Sequence, residues 1–228
     1  MKKKTRFPPY AVFVALVASI GAFLFGYQTA VISGAILFIA EEFGLTTFQE
    51  EVVVSSILIG CTVGALCGGF LADLIGRKRT LMVTVILFLI ATFCLSTASD
   101  FGSLVTGRLI AGLALGISSL TVPLYIAEIS PPESRGILVS FNQLMITIGI
   151  LVSFLVAYVL ADTGHWRGMF AIAYIPAIIQ FCGIFFISET PSWLLSNNSS
   201  EEAARVSNKL SVFLSEETNM KTDKAGFF

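Results

Sequence analysis

Residues 107–136 read GRLIAGLALGISSLTVPLYIAEISPPESRG, an apolar run of helix length with one arginine, Arg108, near its start and a closing loop that holds both signs of charge. A charge placed in hydrocarbon costs about 2.5–3.5 kcal/mol on insertion scales, so such an arginine normally faces a protein interior or a watery cavity. The stretch therefore predicts a membrane span with a pathway residue inside it. The plainer alternative is that Arg108 snorkels its guanidinium toward the nearby membrane surface.

The composition around that stretch agrees. Of 228 residues, 55% are hydrophobic, 13% are charged and 20 are Phe, and the mean hydropathy is +0.86. Ordinary soluble domains are excluded by such values. The apolar residues fall in runs at 10–40, 52–72, 80–98, 103–127, 137–160 and 166–188. Each can cross a bilayer core, which takes about 20 helical residues at 1.5 Å rise. The first run follows MKKK, yet it is far longer than the roughly 7–15 residues of a signal-peptide core, so it is expected to stay as a span. The fold expected is an all-α membrane protein of six transmembrane helices. Residues 1–9 form an N-terminal segment, 10–190 a six-span domain and 191–228 a polar tail.

Charge distribution orients the spans. Lys2, Lys3, Lys4 and Arg6 precede the first span; Arg77, Lys78 and Arg79 follow the second, Arg135 the fourth, and Arg205, Lys209, Lys221 and Lys224 the sixth. The intervening connections hold Glu41, Glu42, Glu50, Glu51, Asp100, Asp162 and His165, with Arg167 alone as a cation. By the positive-inside rule both termini are expected in the cytoplasm, with the chain multi-pass in a plasma or inner membrane. A pI of 5.8 and net charge of −1 leave no surplus of cations for nucleic acid.

Metal and enzyme chemistry find little purchase. Cys61, Cys67, Cys94 and Cys182 lie within apolar runs without ligand spacing and read as buried, reduced thiols. There is no HExxH, no GxSxG and no carboxylate pair inside a span, so neither an enzyme, a metal site nor a cofactor is expected. Gly60, Gly64 and Gly68 form a small-residue ladder on the second span, and Gly112 with Gly116 repeats its spacing on the fourth. Such ladders let helix backbones approach closely. Pro123 and Pro176 fall inside the fourth and sixth spans, where each predicts a kink or a freed carbonyl. In the tail, Ala203, Val206, Leu210 and Phe213 or Leu214 recur at helical spacing and predict a short amphipathic helix.

Several motifs resemble one known group. GGFLADLIGRKRT at 68–80 resembles the GxxxDRxGRR loop of the major facilitator superfamily through Gly69, Asp73, Gly76, Arg77 and Lys78, with Leu74 in place of the usual basic residue. FGYQTAVISGAI at 25–36, the stretch 107–136, SFNQLMITIG at 140–149 and SETPSWLL at 188–195 resemble, in order, four motifs of its sugar porter family. This resemblance implies the N-terminal half of a major facilitator fold and transport of a sugar, a hexose or pentose. It also implies a substrate site at Gln143, Phe25, Ile146 and Gln28, with Arg108 as the pathway charge. Asp73, Arg77, Lys78, Glu128, Arg135 and Glu189 would then form a cytoplasmic gate network. On residue chemistry alone Gln143 reads first as an interhelical hydrogen bonder and Phe25 as plain packing, the commoner roles, and Glu128, Arg135 and Glu189 can be simple span ends.

Two departures from the family pattern carry consequences. Gln28 stands where proton-coupled members carry the aspartate that pairs with the arginine matching Arg108, and an amide does not titrate near neutral pH. The resemblance therefore implies a facilitative carrier. Ser192 replaces an arginine and Ser188 a proline in the PESPRW motif, which removes one cation from the gate network. Carriers of this superfamily have two six-helix halves with the site between them, so a second half is the partner expected, together with the sugar and the lipid bilayer. A non-sugar carrier of the superfamily, or a sugar-binding or interaction module that does not transport, stays open.

Overall fold

The computed structural model describes residues 9–130, 135–197, 199, 201–202 and 204–206. Among them are eight principal helices and no strand: α1 (Pro9–Phe43), α2 (Thr47–Ile75), α3 (Arg77–Ser96), α4 (Phe101–Ile129), α5 (Arg135–Ala161), α6 (Trp166–Ala171), α7 (Tyr174–Phe186) and α8 (Pro191–Ser196). Six segments are long and apolar enough to cross a membrane, the sixth being α6 and α7 together.

Helix ends lie beyond the apolar runs because polar caps set them. Thr46 opens α2 with a capping box: Thr46 Oγ1 accepts from the Gln49 backbone, and the Gln49 side chain accepts from the Thr46 N–H at 2.9 Å. Asp100 opens α4 in the same way with Ser103. Each box satisfies N–H groups that a helix start leaves without partners. At the other extreme α1 runs 35 residues, about 52 Å at 1.5 Å per residue, and carries Glu41 and Glu42 in its last turns, although the hydropathy placed them in a connection.

The two prolines act differently. Pro123 stays within a continuous α4. Pro176 lies one turn past the point where α6 gives way to α7, and its ring opposes the carbonyl of Ile172. There the bonds tighten to i→i−3, Ala173 N–H to the Phe170 carbonyl and Ile175 N–H to that of Ile172, both 3.1 Å.

Glycine decides which helices touch. A Cβ on Gly60 or Gly64 of α2 would overlap the Leu109 or Leu113 carbonyl oxygen of α4, and one on Gly112 or Gly116 would overlap the Ile57 or Cys61 carbonyl oxygen in return. A second seam of the same kind joins α1 to α5: Gly26 faces the Ile146 carbonyl and Gly149 that of Phe23. Exchanging the first three spans for the last three turns the α2–α4 seam into the α5–α1 seam, the relation expected of a three-plus-three inverted repeat. The most hydrophobic windows of α1 and α4 are each 61% buried, whereas that of α5 is 11% buried. The first two form the heart of the bundle, and α5 lies along its flank.

The cysteines correct an expectation. Cys67 and Cys182 are exposed and Cys61 and Cys94 half-buried. A thiol is apolar enough to meet hydrocarbon, so hydropathy does not separate the protein core from a lipid-facing surface. Residues 201–202 and 204–206 are helical; Ala203, Leu210, Phe213 and Leu214, on which the expected amphipathic tail helix rests, lie outside the described residues.

Candidate functional site

A cavity of about 520 Å³ lies between α1, α4 and α5. Phe25 and Ala22 of α1, Ser118, Ser119, Val122 and Pro123 of α4, and Val139, Ser140, Asn142, Gln143 and Ile146 of α5 line it. Phe25, Gln143 and Ile146, expected to share one site, are thus brought together; Gln143 and Ile146 lie within one turn of α5, and the α1–α5 glycine seam holds Phe25 opposite them. Gln143 is exposed, while the Asn142 Oδ1 is buried and unpartnered among the described residues. Pro123 has no N–H to give the Ser119 carbonyl, so that acceptor is released in the cavity wall. Ser118, Ser119 and Asn142 were not anticipated; the freed carbonyl beside Pro123 was the available signal.

Gln28 is not in this cavity. Its side chain is wholly buried and donates through Nε2 to Thr92 Oγ1 of α3 at 3.3 Å. Three positions along a helix offset it from Phe25 by only about 60°, and the bond to Thr92 draws its side chain toward α3. Arg108 is 1% exposed and donates from Nη1 to the Gln28 backbone carbonyl at 2.9 Å. It therefore does not snorkel, and it meets the backbone of Gln28 instead of its amide. No carboxylate pairs with Arg108 among the described residues.

At the end of the bundle where α1 starts and α8 lies, Arg77 joins three elements. Its Nη2 lies 3.0 Å from Asp73 Oδ1 and 3.1 Å from Glu128 Oε1, and its Nη1 donates to the Ala72 carbonyl at 3.2 Å. Glu189 is held differently. Both its oxygens accept from the Lys78 backbone N–H, at 3.0 and 3.1 Å, so it caps the start of α3. A carboxylate there also meets the positive end of the helix dipole. Gly76 makes room for it, with φ at +97° and a Cβ position that would overlap Glu189. Trp193 Nε1 donates to the Asp73 carbonyl at 2.8 Å, which pins the segment after α7 onto the same loop. Ser188 uses what a proline would lack, its N–H donating to Tyr10 Oη at 3.1 Å. Of the expected network, Lys78 takes part through its backbone, and Arg135 is exposed and pairs with neither Glu128 nor Glu189 among the described residues.

With this geometry, comparison with known proteins is direct: residues 14–225 match the family described as "Sugar (and other) transporter". The chain belongs to this family, the sugar porters of the major facilitator superfamily. It is 48% identical over 196 residues to the glucose transporter GlcP of Staphylococcus epidermidis, covering 86% of this chain and 43% of that protein. It is 41% identical over 194 residues to the galactose-proton symporter of Escherichia coli K12, covering 85% and 42%. Among solved structures, the proton:xylose symporter XylE bound to 6-bromo-6-deoxy-D-glucose superposes with a TM-score of 0.82 at 30% identity, over 93% of this chain and 53% of that one. The sugar porter chain spans about half the length of the relatives it matches, and like them it is a multi-pass membrane protein and not an enzyme.

This chain carries a second clasp, at the opposite end of the bundle, that the sequence reading missed. Glu42 at the end of α1 pairs with Arg167 Nη2 at 2.9 Å and accepts from Trp166 Nε1 at 2.6 Å. Arg167 lies 4.1 Å from the Trp166 ring centroid and donates to the Ala98 carbonyl at 2.8 Å. Cation–π stacking and a charge-assisted bond reinforce each other here. Arg167, read as a lone cation on the wrong side for the charge rule, is thus a structural tie between α1, α6 and the α3–α4 turn.

Proposed function

We propose that this chain supplies one six-helix half of a carrier that moves a hexose or pentose across a cell membrane by alternating access, downhill and without proton coupling. The convergence of Phe25, Gln143 and Ile146 on one cavity, beside Ser118 and Asn142, carries this reading. Sugars present hydroxyls that both donate and accept, and amides and serines answer both. Phe25 offers an apolar surface to the ring face. A cavity of about 520 Å³ is of ligand size, and a second half would close its open side.

The facilitative reading rests on Gln28. Its amide is bonded to Thr92 and has no proton to exchange near neutral pH, and Arg108 is bonded to a carbonyl with no carboxylate paired to it among the described residues. The cytoplasmic placement of both termini rests on the lysines and arginines of alternate connections. On that placement Arg77, Asp73, Glu128 and Glu189 brace the cytoplasmic end, and exposed Arg135 is available to the other half.

Reconstitution tests this. Proteoliposomes holding the chain with its second half should give saturable hexose or pentose flux that survives a protonophore, and the chain alone should give none. Flux of lipophilic cations without sugar would overturn the sugar reading. Collapse of flux with the protonophore would overturn the facilitative one, and Gln28→Asp is expected to introduce that sensitivity. Sugar binding without flux would favour a non-transporting module.

A further inference from the structure

A second pocket, of about 270 Å³, opens between α1, α5 and the broken sixth span. Its inner side is a pair of rings, Phe23 and Tyr27, stacked with centroids 6.2 Å apart. Val152 of α5 lines it on one side, and Ile172, Ile175 and Ile179 line it on the other, around the break between α6 and α7. No polar atom is exposed in it. The polar groups nearest to it are used elsewhere: Tyr27 Oη donates to the Met169 carbonyl at 2.5 Å, and the Ile172 carbonyl, which Pro176 cannot serve, accepts from the Ile175 N–H at 3.1 Å. An apolar groove of this kind has nothing with which to hold water or a sugar.

Its place in the bundle decides what fills it. Successive helical residues turn by about 100°, so on α1 the cavity pair Ala22 and Phe25 points about 150° away from Phe23 and Tyr27, with the seam residue Gly26 between them. On α5, Gln143 and Ile146 likewise point about 150° away from Val152, with Gly149 between. The groove thus lies behind the α1–α5 seam, and a second half that closes the cavity leaves it uncovered. Depth points the same way: Val152 precedes the α5 end at Ala161, and Ile172 and Ile179 follow Trp166, by amounts that set the groove about 9–20 Å below that end of the bundle. This is acyl-chain depth in a hydrocarbon core about 30 Å thick. Ile175 and Ile179 are 61% and 55% exposed at the rim and continue along α7 into exposed Cys182 and Phe186, so the groove is continuous with the surface that a multi-pass protein gives to lipid.

We propose that this groove is a binding site for one acyl chain of a bilayer phospholipid, which enters from the leaflet beside Arg167 and packs against the back of the α1–α5 seam. The site does not depend on sugar transport; only the exclusion of a second half from it rests on that reading. Bulk lipid is equally apolar, so the chain is retained by van der Waals contact with the rings and the branched side chains. It also has a structural use. The most hydrophobic window of α5 is 11% buried, and a filled groove adds contact to a helix held mainly by one glycine seam.

Photo-labelling tests the proposal in the 228-residue chain, in nanodiscs of phosphatidylcholine that carries a diazirine in the middle of one acyl chain. After illumination, peptide mass spectrometry should find adducts on half-buried Phe23 and Val152 at about fivefold or more the yield on Phe93 of α3, which is 60% exposed. Ile175→Trp, which carries a larger ring over the groove from its exposed rim, should lower the Phe23 and Val152 yields about fivefold and leave Phe93 unchanged. Yields at Phe23 and Val152 no higher than at Phe93 would reduce the groove to ordinary boundary surface and overturn the site. In the chain joined to its second half the same adducts are expected, and their loss on joining would assign the groove to the other half and equally overturn the site. Absence of sugar flux from that joined carrier would defeat the transport reading alone, with the adduct ratio still deciding the groove.

Discussion

Arg108 holds its charge in the packed interior, bonded to the Gln28 carbonyl and without a carboxylate among the described residues. Replacing a buried charge by an apolar side chain of similar size is often neutral or stabilising. Arg108→Met is therefore expected to leave the unfolding midpoint in detergent within a few degrees of the parent. Arg108→Ala, which opens a cavity, should cost about 2–4 kcal/mol. A large loss in Arg108→Met would show that the charge itself stabilises the fold. Gly76 makes a second prediction at this scale. It holds φ at +97° and sits against the Glu189 carboxylate, so Gly76→Ala should destabilise by about 1–3 kcal/mol. Adding Glu189→Ala should relieve only the part due to overlap, as read in a double-mutant cycle of thermal unfolding. The charge of Arg108 and the turn at Gly76 were legible in the sequence. The capping of α3 by Glu189 was not, because 111 residues separate it from Lys78 and only the folded chain brings them together.

The elements are governed by two glycine seams, α2 on α4 and α1 on α5. Gly116→Ala and Gly149→Ala, each of which sets a methyl against a facing carbonyl, are expected to lower the thermal midpoint strongly and reduce the monodisperse fraction on gel filtration. Gly69→Ala has nothing within 4 Å of its new Cβ and should be neutral or gain up to about 1 kcal/mol of helix propensity. Equal effects at Gly69 and Gly116 would remove close approach as the explanation. The first seam was readable because Gly60, Gly64, Gly68, Gly112 and Gly116 recur every fourth residue. The second depends on Gly26 and Gly149, isolated glycines with no repeat to mark them, and becomes apparent only when α1 and α5 are side by side. Likewise the break between α6 and α7 followed from Pro176, whereas the persistence of α4 through Pro123 depended on the helices packed around it.

Across the whole molecule, α5 presents a continuous exposed stripe: Ser140, Gln143, Thr147, Leu151, Phe154 and Tyr158 recur three or four residues apart. Polar side chains in a span avoid lipid, so the half of this stripe that holds Ser140, Gln143 and Thr147 is expected to face the cavity and the second half. A photo-crosslinking residue at Leu151 should then form adducts with a co-expressed second half. One at Phe93, exposed on α3, should react with lipid. Lipid adducts alone at Leu151 would place that face outward. Six spans, their limits to within about five residues, and the family were already present in the linear order of apolar runs, charges and motifs, because hydropathy and local bonding act over neighbouring residues. Apart from the α2–α4 seam, which face of a span meets protein emerged only in the folded bundle, as did the separation of Gln28 from the cavity and the pairing of Glu42 with Arg167. In a membrane chain the core and the lipid-facing surface are equally apolar, so hydropathy cannot tell them apart, and contact between distant residues has to be built by folding.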